Sequence, residues 1–288
     1  MTTRAGLMRG FCTVATTVVA VVAVTSSVWA DVTVVSEITT KGLPAGIKGN
    51  AASSSGKPTI ATTYYKGDKQ RVETGDSITI TDYTTGKTTA LDVKKKTYTI
   101  RNAEKVEGNP FLEAMKMEVT ADMKATAEKK TIVEKNARRY DYNAVMKMTM
   151  EGVDPTIASM LPTIMISGQQ WTTEDIPYKM DVAKVARVTM LRSLPPMMAK
   201  GVKEISEKLA MMKGFPLSSV VTLKFALSKD APAEFASRIP KDASVTTTEV
   251  KSIVQTPLDE ALFTIPEGYS EVKDVAPDFG PSGPNGPQ

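Results

Sequence analysis

Histidine is absent from this 288-residue chain, and cysteine occurs once, as Cys12. The first absence removes Ser-His-Asp and Cys-His catalysis and histidine-ligated zinc. The second removes any intrachain disulfide, so stability has to come from a hydrophobic core. Charge of one sign is lacking as well, with 36 Lys and Arg against 32 Asp and Glu. Such a balance has no basic face of the density that nucleic acid demands, and nucleic-acid binding is set aside. Long apolar runs are missing after the first thirty residues, which leaves no second segment able to span a bilayer.

The N-terminus supplies what the rest lacks. Arg4 and Arg9 form a positive start without any acid, and a mostly apolar run follows from Phe11 to Val24. The run is short for a bilayer span and closes on Val28-Trp29-Ala30, a small-residue processing site. Residues 1–30 are therefore expected to be a cleaved signal peptide, with export to the periplasm or the exterior. Cleavage before Asp31 leaves 34 basic and 32 acidic residues, a net charge of +2. Cys12 stands at the start of the apolar run rather than after it, which argues against lipid attachment.

From Asp31 to Arg101 short β-patterned runs alternate with turn residues. Val32, Val34 and Ile38 share one face of the first run, and Gly42 to Lys57 reads as a long hairpin tip. Runs at 60–65, 70–74, 77–83, 88–93 and 96–100 follow at intervals too short for parallel crossovers, which predicts an antiparallel meander. After a short helical piece at 110–116, Met117, Val119, Ala121, Met123 and Ala125 fall on one face and Glu118, Thr120, Asp122 and Lys124 on the other. Tyr140, Tyr142, Ala144, Met146, Met148 and Met150 repeat that pattern. Further strands are expected at 163–172, 219–227 and 245–254.

Between Asp181 and Lys213 the period changes to that of a helix. Met198, Val202, Ile205, Leu209 and Met212 form one stripe, Pro195-Pro196 divides the segment, and Gly214 fits a helix stop. The last residues, 277–288, rich in Pro and Gly, read as a disordered tail. One domain over 31–276 is expected, mainly β with some helix (α+β), as an antiparallel, unclosed half-barrel with helices near 181–213 as its cover.

Four stretches carry a family resemblance: Tyr64 to Glu73, Leu91 to Tyr98, Gly214 to Leu217 and Leu262 to Tyr269. Together they are similar to the bacterial family catalogued as domain of unknown function 4412. That family resembles in turn the periplasmic lipoprotein carriers, whose fold is an unclosed antiparallel half-barrel with helices in its concave face. The resemblance implies that fold and no catalytic residues.

A half-barrel lined by Met, Val, Ala and Tyr offers an apolar groove for a lipid or acyl chain, and methionine adapts to irregular shapes. The groove candidates are Met117, Val119, Met123, Tyr142, Met146, Met148, Trp171, Met198, Val202, Ile205 and Leu209. The same residues read equally as filled core, and Trp171 as a core aromatic between sheet and helix. Met146, Met148 and Met150 point the same way at a spacing that soft metals accept, yet no His or Cys accompanies them, and no metal or cofactor is expected. Ser54-Ser55-Gly56-Lys57 has serine-lysine acylase spacing without its companion motifs. Glu174-Asp175 reads as solvated charge, and Lys94 to Lys96 with Arg138-Arg139 as solubilising edges. The expectation is an exported, non-catalytic binding or carrier protein for a hydrophobic ligand. An envelope scaffold that binds another protein is the alternative, and an unrecognised hydrolase a further one.

Overall fold

The computed structural model describes residues 31–42, 56–102, 115–150, 154–178, 181, 184–185, 188, 199–236 and 242–273. Six strands open the chain: β1 (Val32–Lys41), β2 (Thr59–Lys66), β3 (Lys69–Thr74), β4 (Ser77–Asp82), β5 (Lys87–Asp92) and β6 (Thr97–Asn102). The long hairpin β7 (Met115–Ile132) and β8 (Lys135–Met150) follows, then the short helix α1 (Pro155–Ser159) and β9 (Thr163–Thr173). After α2 (Ala199–Leu209) come β10 (Phe215–Ala226), the four-residue α3 (Ala233–Ala236), β11 (Ser244–Gln255), a 3-10 turn at Glu260–Phe263 and β12 (Ser270–Glu271).

All twelve strands join one sheet in the order β12-β6-β5-β4-β3-β2-β1-β11-β10-β9-β8-β7. Every pairing is antiparallel except β12 with β6. The sheet is two meanders fused where β11 returns to pair with β1 across Val32↔Gln255 to Lys41↔Val245. It does not close, and its ends among the described residues are β7 and β12. The mainly β, unclosed architecture is as the alternation predicts, because tight turns every nine or ten residues leave neighbouring runs only antiparallel partners. The turns meet their backbone demands: Gly67, Gly75 and Gly86 take positive φ.

The two faces of the sheet carry different cores. Tyr64 and Tyr65 are neighbours in β2 and point to opposite sides, Tyr65 into a cluster with Val32, Val34, Phe215 and Leu217, Tyr64 into one with Ile80, Leu91 and Phe263. The second of these is sealed by the C-terminal stretch, which brings Leu258, Leu262 and Ile265 onto β3 to β6. Polar ties fix that stretch: Asp31 accepts from Lys66 Nζ at 3.1 Å and from the Leu258 amide at 2.8 Å, and the buried Arg71 donates to the Leu262 carbonyl at 2.8 Å.

The helical expectations need correction. A cover over the sheet is not supported: among the described residues only α2 exceeds five residues, and it lies against β7 and the core beside it. Lys184, Val185 and Val188 are helical too, whereas Met198 and the Pro195-Pro196 break lie outside the described residues. Gly214 is not the stop of α2. The helix ends at Leu209 in a tightened turn, with the Met211 amide donating to the Lys208 carbonyl and Met212 to Leu209, both at 3.0 Å. Gly214, at φ 91°, sits where a Cβ would come 2.5 Å from the Thr173 carbonyl oxygen, so glycine is required by a close approach to β9. The helical piece expected at 110–116 lies outside the described residues up to 114, and Met115 and Lys116 already belong to β7. Residues 1–30, expected to be a signal peptide, most of the 42–57 loop and the expected 277–288 tail also lie outside.

Candidate functional site

The methionine-rich strands meet in register. Met117 pairs with Met148, Val119 with Met146, Ala121 with Ala144 and Met123 with Tyr142 across β7 and β8. On the other side Met146 opposes Ile164 and Ala144 opposes Ile166 of β9, which oppose Phe225 and Leu223 of β10. Period-two alternation places all of them on one face. Ile205 of α2 closes onto that face, with Leu209 beside it, and Val202 is sealed as well, 1% exposed.

The candidates therefore divide by depth. Met146 is 0% exposed, and Met148, Met150, Ala144 and Ile164 are buried around it, so the centre is packed. Met117, Val119 and Met123 on β7 are only half-buried, as are Ile166, Leu223 and Phe225 on the far side. The apolar face thus runs past its packed centre to the outermost strand, β7. Tyr142 is part of that rim: its phenol is pushed up to about 12 by burial. Its ring lies over Gly168, its register partner, where a Cβ would meet the ring at 2.5 Å and the Val220 carbonyl oxygen at 2.6 Å.

Trp171 does not join this group. It is half-buried against the neighbouring cluster of Val32, Phe215 and Leu217, with Lys130 Nζ 4.2 Å above its ring. That cluster is tied down by Tyr178, whose ring meets Tyr65 at 5.5 Å and whose hydroxyl donates to the Gly67 carbonyl at 2.5 Å. Among the remaining sequence candidates, Asp175 accepts from the Asn136 amide at 2.8 Å, and Arg139 pairs with Glu128 and Asp141. Both are occupied structurally. No group of three or more acidic or cysteine side chains that would hold a metal occurs among the described residues.

No protein-family model matches the chain, and no curated protein matches it. Among solved structures the chain is similar to a structure of PNGF-II in space group C2, at 10% identity and a TM-score of 0.34. The likeness covers 85% of this chain and 31% of that one, so this chain spans about a third of that protein's length. A likeness of that size carries no argument. Among the described residues, no helix is long and apolar enough to cross a membrane.

Sequence reasoning passed over a second concavity. Where β3 to β6 end, an open groove of about 550 Å³ is lined by Thr74, Ser77, Thr97, Tyr98 and Thr99, with the β3–β4 and β5–β6 turns at its rim. Its only sequence signal is threonine recurring at alternate positions, which also reads as ordinary strand propensity.

Proposed function

We propose that this protein is an exported, non-catalytic binding or carrier protein for a hydrophobic ligand of lipid or acyl type, held along the β7–β8 rim beside α2. One observation supports the reading. The apolar face continues beyond its packed centre to half-buried Met117, Val119 and Met123 on the outermost strand. An acyl chain laid there extends the core and removes those side chains from water, at about 25 cal/mol per Å² of apolar surface. Methionine is the residue type that adapts to such a partner.

The test separates rim from centre. Met123→Gln is expected to weaken uptake of a fluorescent acyl probe about tenfold, a loss of about 1.4 kcal/mol, with little change in stability. Met146→Gln buries an amide without a partner and is expected to cost about 1–3 kcal/mol of stability, plus lost packing. A parent protein that shows no saturable probe uptake ends the carrier reading.

A second reading, an envelope scaffold that takes a partner's strand, is favoured by the 18-residue length of β7 at the end of the sheet. Against it, Glu118, Asp122, Lys124, Glu128, Lys129 and Lys130 are exposed along that strand, the charges by which edge strands resist pairing.

A further inference from the structure

The groove across β3 to β6 differs in chemistry from the methionine face. Val34 of β1, a member of the buried core, opposes Thr63, which opposes Val72, and the row continues through Thr79, Ala90 and Thr99. One step along the strands the parallel row is Ala61, Thr74, Ser77, Asp92 and Thr97. The face that is apolar at β7 to β10 thus becomes hydroxyl-bearing at β3 to β6. Thr74, Ser77, Thr97 and Thr99 are half-buried and line the 550 Å³ groove, a volume within the range of small-ligand sites. Each hydroxyl offers one donor and two acceptor positions.

Charge narrows the ligand class. The two lysines of the rim are answered by carboxylates of the same rim: Lys94 pairs with Asp76 at 2.5 Å and Lys95 with Asp92 at 3.1 Å. The groove therefore presents a balanced rim and a hydroxylated floor, which gives an anion no net attraction. Tyr98, between Thr97 and Thr99, turns its ring to the opposite face, into the cluster of Ile80, Leu91 and Phe263, so the recognition chemistry of the groove rests on its hydroxyls.

We propose that this groove is a second binding site, for a neutral, polyhydroxylated ligand of glycan type. The assignment is independent of the acyl-ligand reading, because its residues lie on different strands. The shared chemistry covers a free oligosaccharide and the sugar headgroup of a glycolipid. The experiment is a titration of the full chain, as purified, with a panel of neutral and sulfated oligosaccharides, and with zwitterionic vesicles with and without a neutral glycolipid. Thr97→Val/Thr99→Val is the variant, since it keeps shape and strand propensity while removing two hydroxyls; its melting curve and its acyl-probe uptake are recorded alongside. Saturable binding of a neutral oligosaccharide, insensitive to salt and weakened about tenfold in the variant, is the expected result. Binding confined to glycolipid vesicles, with the same loss in the variant, assigns the site to a headgroup. Binding of sulfated glycans alone, binding unaltered by the variant, or no binding to any of them overturns the proposal, and none of these outcomes bears on acyl-probe uptake.

Discussion

Gly168 and Tyr142 show how one residue pair shapes the proposed site. A glycine in the middle of an 11-residue strand costs conformational entropy and contributes no packing, yet here it gives the Tyr142 ring a bed on the sheet. Gly168→Ala places a methyl against the ring and the Val220 carbonyl. It is expected to destabilise the protein by about 1–3 kcal/mol, measured by urea unfolding. Tyr142→Ala relieves only the ring clash, so the double variant should recover part of that loss and not all of it. An additive double variant would mean that ring and glycine are not in contact. Residue depth was the least legible feature of the sequence. Met117, Met123, Met146 and Met148 are equivalent by periodicity, and the pairing register separates sealed Met146 from rim Met123.

Strands were more legible than helices. Each of the runs predicted in the first meander appears within a residue or two of its expected ends, because turn residues and strict alternation act locally. Helices were harder: the stripe from Met198 to Met212 is real where it is described, but the long-period pattern predicts a face and not the area it covers. Short elements such as α1, α3 and the two-residue β12 carry too few residues for any period. For α2 the expectation is specific. Ile205, 4% exposed in the methionine core, should cost about 2–5 kcal/mol when cut to alanine. Met211, 60% exposed just beyond the helix, should stay within about 0.5 kcal/mol on the same change. Comparable losses at both positions would contradict the packing of α2 against β7 and β8.

At the scale of the whole molecule, the described residues form a single unclosed sheet of twelve strands that puts a packed apolar region, a hydroxyl-bearing groove and a separately sealed C-terminal face on one scaffold. Its alkaline limit follows from tyrosine burial. Tyr142 is pushed up to about 12 and Tyr178 is raised as well, both chiefly by desolvation, from an ordinary value of 10.0. Between those values the unfolded chain releases phenolic protons that the folded one keeps. Stability is therefore full below pH about 10 and falls as pH rises toward 12. Unfolding midpoints measured across that interval should drop in the parent and drop less in Tyr142→Phe. The measurement that bears most directly on function is native mass spectrometry of the protein purified from its own host. A bound mass of lipid size, absent from Met123→Gln, is the outcome expected of a carrier with its ligand on the β7–β8 rim. A bare polypeptide mass, together with no saturable acyl-probe uptake, would contradict it.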